Sequence, residues 1–138
     1  MHPVLVLAPA LLLLSACGGM TPGSEGGVLD GTQWRAVQMD GAPVAEGIAP
    51  TMIVAGGAAT GFGGCGGYSS AIQLWGTAIA FGAVVRTEGP CTMAQLRLEA
   101  TYLLALTNSV RAEIAQDRLI LRDKDAKVRL RFIRTDTD

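Results

Sequence analysis

The sequence predicts an α+β fold, a single domain in which one long helix packs on a curved antiparallel sheet or half-barrel. Three observations predict it. From Leu29 onward, short strand-like runs are separated by Gly and Asp turns. One stretch, Thr92 to about Asn108, holds neither Gly nor Pro and repeats apolar residues at helical spacing. Near the end, Lys127 to Ile133 alternates, with Lys127, Arg129 and Arg131 on one face and Val128, Leu130 and Phe132 on the other. Strands, then one helix, then more strands is an α+β order.

Taken in order, Thr32 to Met39 is the first strand, anchored by Trp34. Pro50 to Val54 and Thr60 to Phe62 follow, around a turn at Gly57-Ala58-Ala59. Tyr68 to Trp75 is a fourth, ending at Gly76, and Ala78 to Arg86 continues the sheet with a bend at Gly82. In the helical stretch Met93, Leu96, Ala100, Leu103 and Thr107 recur at spacings of three and four, extended by Leu106 and Val110. That side is expected to face the core, while Gln95, Arg97 and Thr101 suit water. Arg111 to Ala115 and Leu119 to Arg122 are strands, and Asp123 to Ala126 is the turn into the final one. No internal repeat is evident.

The first residues are of another kind. Val4 to Leu14 is apolar throughout, but its 11 residues fall short of the roughly 20 that a membrane-spanning helix needs. It has the length of a signal-peptide core and is followed by small residues. The end of the run, Leu14-Ser15-Ala16-Cys17, resembles the bacterial lipobox. That resemblance implies cleavage before Cys17, a diacylglyceryl group on its thiol and an acylated new amino terminus. Two or more acyl chains anchor a protein stably, whereas one binds marginally. Gly18, in place of an inner-membrane-retaining Asp, favours an outer membrane. The expected layout is a signal peptide over 1–16, a flexible Gly-, Pro- and Ser-containing tether over 17–28 and a domain over 29–135.

Removing residues 1–16 from 138 leaves 122, enough for one domain. All charged residues stay in that part, with a formal charge of −1 that gives no indication of nucleic acid. Cleavage also removes His2, the sole histidine. Catalysis of the Ser-His-Asp or Cys-His kind needs an imidazole, and zinc sites draw on His and Cys. With Cys17 lipidated only Cys65 and Cys91 remain, so neither a metal nor a cofactor is expected. In an oxidising compartment these two are expected to pair. Neither stands in a Cys-x-x-Cys motif that would suggest thiol redox chemistry.

Glycine makes up seven of the twelve residues from Gly56 to Gly67, and Gly61 to Gly66 spells G-x-G-x-x-G. A dinucleotide site would need a strand before and a helix after. Here a strand follows and no Walker lysine is present, so the glycines are read as backbone devices for a bend beside Cys65.

Several features together resemble the META/HslJ family of small bacterial lipoproteins and secreted domains. They are Gly31-Thr32-Gln33-Trp34, Gly64-Cys65 with Tyr68 three residues on, and Thr87 ahead of Cys91. Glu99 with Leu103 and Leu106, then Leu119-Ile120-Leu121 and Leu130-Arg131-Phe132, complete the set. The resemblance covers about Leu29 to Ile133. Two departures stand out: Gly66 where the family usually has Asn, and Glu88-Gly89-Pro90 before the second cysteine. The resemblance implies a mixed antiparallel half-barrel with one long helix, similar to pilotins that chaperone secretins, and no established catalytic residues.

The leading expectation is therefore a non-catalytic envelope lipoprotein, membrane-bound through Cys17 and facing the periplasm. It would bind an envelope protein and support the envelope under stress, in a pilotin-like manner in its specific form. Such a module should have an apolar groove between helix and sheet. The alternative is a face of Lys127, Arg129 and Arg131 for anionic lipid or lipopolysaccharide headgroups. Residues 118–134 carry seven Lys and Arg against Asp123 and Asp125. The remote alternative is a carboxylate hydrolase drawing on Glu88, Glu99, Glu113 and Asp117, with Glu99 and Glu113 the pair to converge.

Overall fold

The computed structural model describes residues 3–4 and 24–136. Cys17, the apolar run from Leu5 and the tether up to residue 23 lie outside them. The elements in order are β1 (Ser24–Glu25), β2 (Thr32–Met39), β3 (Ala42–Pro43), β4 (Thr51–Ala55), β5 (Ala58–Phe62), β6 (Gly67–Trp75), β7 (Ala78–Phe81) and β8 (Val85–Arg86). The helix α1 (Met93–Thr107), β9 (Arg111–Ala115), β10 (Arg118–Arg122) and β11 (Val128–Arg134) follow. Short 3-10 turns occupy Gly27–Leu29 and Glu46–Ile48.

The sheet closes, and this corrects the predicted fold class. Neighbours run β6-β5-β4-β2-β11-β10-β9-β7, and β7 pairs back onto β6, giving an eight-stranded antiparallel barrel. The protein is thus mostly β, a barrel with one helix rather than an α+β half-barrel. Closure depends on a narrow seam. Ala78 pairs with Arg111, the Ile79 amide donates to the Val110 carbonyl at 3.0 Å and the Ala112 amide to Thr77 at 2.8 Å. Such a seam joins segments more than thirty residues apart and leaves no mark on local periodicity.

Eight strands enclose an interior that side chains can fill. Trp34, Met52, Ile72, Leu119, Leu121, Leu130 and Phe132 are all buried inside. The predicted alternation of the last strand is observed there, with Leu130 and Phe132 inward. In β2 the phase changes: Phe132 faces Ala36 but Arg131 faces Gln38, so Val37 is an extra residue. The bulge turns Met39 rather than Gln38 inward. At the start of β2, the Trp34 indole N–H donates to Thr32 Oγ1 at 2.7 Å, and that hydroxyl donates to the Leu29 carbonyl. Leu29 is fully buried. Ser24 and Glu25, expected within the tether, pair with Leu74 and Gln73 of β6.

The helix forms where the sequence places it, for legible reasons. Thr92 caps it by accepting from the Gln95 amide, and the Gln95 side chain accepts from the Thr92 amide, a reciprocal capping box. Its orientation is another correction. The buried residues are Glu99, Tyr102, Ala105 and Leu106. Of the predicted core side Leu106 is buried and Leu103 partly so, whereas Met93, Leu96, Ala100, Thr107 and Val110 are exposed. Apolar residues surround this helix, so spacing alone selected a side that only partly faces the core. Polar atoms decided: the Tyr102 hydroxyl lies 2.6 Å from that of Tyr68, and both reach the Thr51 carbonyl. Tyr102 also meets Phe132 edge-on, with ring centroids 6.3 Å apart.

Candidate functional site

The helix N-terminus is held by a cluster built on the glycine-rich turn. Cys65 and Cys91 form a disulfide with Cα atoms 5.8 Å apart, tying the turn to the residue before the helix cap. The turn then lies directly on α1. A Cβ on Gly63 would stand 2.6 Å from Glu99 Oε1, and one on Gly64, at φ +131°, would stand 2.9 Å from the Glu99 amide nitrogen. Only glycine fits either place. The G-x-G-x-x-G run is thus the β5–β6 connection, shaped for a helix to approach it.

Glu99 sits beneath this turn, 1 % exposed. Its carboxylate accepts from the Gly66 amide at 3.3 Å and from the Arg86 guanidinium at 3.1 and 2.5 Å. A buried carboxylate with a guanidinium and an amide is a satisfied structural ion pair. Glu113 lies elsewhere, on β9, bonded at 2.7 Å to Arg122. Glu99 and Glu113, the pair expected to converge, are held by different partners. Asp117 is exposed beside Arg118, and Glu88 is exposed. Among the described residues no group of three His, Cys, Asp or Glu side chains could hold a metal, and every buried side-chain nitrogen or oxygen has a hydrogen-bond partner.

The basic final section is largely neutralised by tertiary partners. Arg129 bonds Asp40 at 2.6 Å and lies 3.6 Å from Asp123. Arg122 pairs with Glu113 and Arg134 with Asp136. Asp40, Glu113 and Asp136 lie outside the segment whose local charge suggested a headgroup face. Arg129, central to that expected face, is occupied, while Lys127 is exposed and Arg131 half-buried. Burial opposes ionisation of Asp123, but the Lys127 and Asp125 amides and the Arg129 guanidinium outweigh it. The carboxyl is held below its ordinary value.

Beside α1 the surface opens. A groove of about 500 Å³ is lined by Met39, Ile48, Ala94, Gln95, Arg97, Leu98 and Thr101. It runs between the first half of the helix and the end of β2, with Ile48 from the adjoining 3-10 turn as the outer wall. Its volume is that of a ligand cleft, and its lining is mainly apolar. Arg97 is the single charge in it and has no carboxylate partner among the described residues. The sequence reading named neither Met39 nor Ile48 as a site residue. The Val37 bulge sets one in place and the unpredicted turn at Glu46–Ile48 the other. On the far side of the helix a smaller cleft of about 190 Å³ is lined by Arg86, Leu96, Glu99, Ala100 and Leu103.

The META domain family matches residues 27–137. The chain belongs to the META domain family. Among solved structures it is similar to a protein from Burkholderia xenovorans determined by NMR, at 24 % identity over 99 % of each chain with a TM-score of 0.65. It is also similar to a DUF4847 family protein from Bacteroides vulgatus ATCC 8482, at 14 % identity over 82 % of this chain and 99 % of that one, TM-score 0.62. A third structure, also from NMR, shares 17 % identity over 75 % of this chain and 89 % of its own, TM-score 0.60. These likenesses concern the fold. No curated protein matches the sequence.

Of the two departures from the META pattern, Gly66 lies against Thr87, the residue that precedes the other, Glu88-Gly89-Pro90. A Cβ on Gly66 would stand 2.7 Å from the Thr87 carbonyl oxygen, and Thr87 opens the Thr87-Glu88-Gly89-Pro90 segment. Thr87 Oγ1 also accepts from the Gly67 amide at 2.9 Å. Thr87 thus occupies the space that a side chain at position 66 would need.

Proposed function

We propose that this META domain is a non-catalytic binding module of the cell envelope, anchored through lipid on Cys17, and that it docks a partner in the groove between α1 and β2. The carrying observation is the groove itself, apolar along Met39, Ile48, Ala94 and Leu98 with the unpaired Arg97 at its edge. Binding grooves of this build take an amphipathic segment whose apolar side chains supply area and whose charge fixes register. The lone guanidinium selects the occupant, an apolar segment of another envelope protein with a carboxylate beside it. Tight closure of the barrel supports this reading, because it makes a rigid wall for the groove. The lipobox supports the location.

The test is recovery of the partner by the membrane-anchored protein and its variants. Wild type should retain a defined envelope protein that Arg97→Glu loses by reversing the charge. Ile48→Asp, at a residue 53 % exposed, should lose it by spoiling the wall. Both variants should melt like wild type. If both retain the partner unchanged, the groove is not the docking site.

A further inference from the structure

Wherever the chain is anchored, one end of the barrel must lie nearest the anchor. Six residues, 18–23, separate Cys17 from Ser24, and even fully extended this stretch reaches only about 25 Å. Ser24 pairs with Leu74 and Glu25 with Gln73, so the chain enters at the Trp75 end of β6. Two large apolar side chains stand uncovered there. Trp75, beside the β6–β7 turn, is 45 % exposed, and Val28, in the 3-10 turn that lies against β6, is 74 % exposed. The Ala112 amide bonds Thr77 in the same turn, and Ile114, two residues further along β9, is partly exposed as well.

We infer that this end of the barrel rests on the lipid bilayer, with Trp75 and Val28 in the headgroup–acyl boundary. The inference rests on the anchor at Cys17 proposed above. Tryptophan favours that boundary because its ring is apolar and its N–H is polar. The contact is argued from its apolar surface: Asp30 and Asp117 stand at the same end, but so do Arg118, 3.6 Å from Asp117, and exposed Arg111, so neither sign of charge prevails there. At the other end of β6, Tyr68 lies about 23 Å along the strand from Trp75. The Cys65–Cys91 bridge, the helix N-terminus and the groove gather there. Seated on Trp75, the domain would hold its groove away from the membrane.

The experiment uses the mature chain, whose Cys17 is the single free thiol once Cys65 and Cys91 are bridged. Coupled through Cys17 to a maleimide lipid in phosphatidylcholine vesicles, the protein is compared with and without bromine on the acyl chains. Of its two tryptophans, Trp34 is sealed in the barrel and gives a constant background. Brominated lipid should reduce emission, Trp75→Phe should abolish that loss, and salt should leave it unchanged. Met93→Trp in the Trp75→Phe background should not be quenched, because Met93 lies beside the disulfide. Absence of quenching at Trp75, or quenching at Met93→Trp instead, would overturn the orientation. The mass of the mature protein from cells reads the anchor separately. An unmodified Cys17 overturns the anchor, and the orientation with it. A modified Cys17 with unquenched Trp75 overturns the orientation alone.

Discussion

At residue scale, much of the sequence's oddity reduces to one contact between the glycine turn and the helix. Gly63→Ala and Gly64→Ala must push a methyl into the Glu99 carboxylate and the helix backbone respectively. Each should destabilise by about 1–3 kcal/mol in denaturant melts. Gly66→Asn, although it restores the family's usual residue, should destabilise this chain similarly, because the Thr87 carbonyl stands in the way. A neutral result would mean the Glu88-Gly89-Pro90 segment yields easily. The glycines were legible as backbone devices, but what they made room for was not. Nothing local marks Glu99, 33 residues from Gly66 in sequence yet bonded to it, as the residue lying beneath them. The tyrosines are similar. Burial, opposed by the hydrogen bond from Tyr102, pushes the Tyr68 hydroxyl well above its ordinary 10.0, and burial raises Tyr102 likewise. These are the chain's only two tyrosines. Stability from keeping them neutral is fully present below the unfolded value of 10.0 and is lost as pH rises above it. Tyrosinate absorbance should therefore stay low through pH 10 and appear only together with unfolding.

At the scale of elements, the Cys65–Cys91 bridge spans 26 residues of sequence and should stabilise the fold by about 3–4 kcal/mol in the chain-entropy model. Its reduction should lower the melting temperature and free the helix N-terminus first, read as early hydrogen exchange in Met93 to Glu99. The β10–β11 turn carries a pH dependence of the opposite sign to the tyrosines. The depressed Asp123 carboxyl stabilises the fold fully above its unfolded value of 3.8, and this is lost as pH falls through the lower folded value. Asp123→Asn should remove that acid-side dependence in melts across the carboxylate range. Strand positions were legible because alternation is local: β2 was placed residue for residue, and the ends of β6, β9 and β11 within a residue. The inward face of the helix was legible only at Leu103 and Leu106, because Leu and Ala lie on every side of it. Its burial was decided by Tyr102 and Glu99, residues that a hydrophobic pattern counts against.

For the whole molecule, closure of the barrel is what the sequence least reveals. It depends on Ala78 meeting Arg111 across the helix, a pairing fixed only when the rest of the sheet is in register. The same closure explains why the helix has an apolar outer side. With the interior already filled, Met93 and Leu96 remain outside, exposed by 65 and 37 %, and the groove forms on another side of the helix, along Ala94, Leu98 and Thr101. The basic C-terminal segment illustrates the limit of counting charge along a chain, since Arg129 finds Asp40 eighty-nine residues away. The central claim is that the groove between α1 and β2 receives a partner segment. Its most direct measurement is site-specific photo-crosslinking in intact cells, with the crosslinking residue at Gln95 in the groove or at exposed Gln73 on β6. A discrete crosslinked species from Gln95, absent from Gln73 and lost on adding Arg97→Glu, is the predicted result. Equal crosslinking from both positions, or a Gln95 product indifferent to Arg97→Glu, would contradict it.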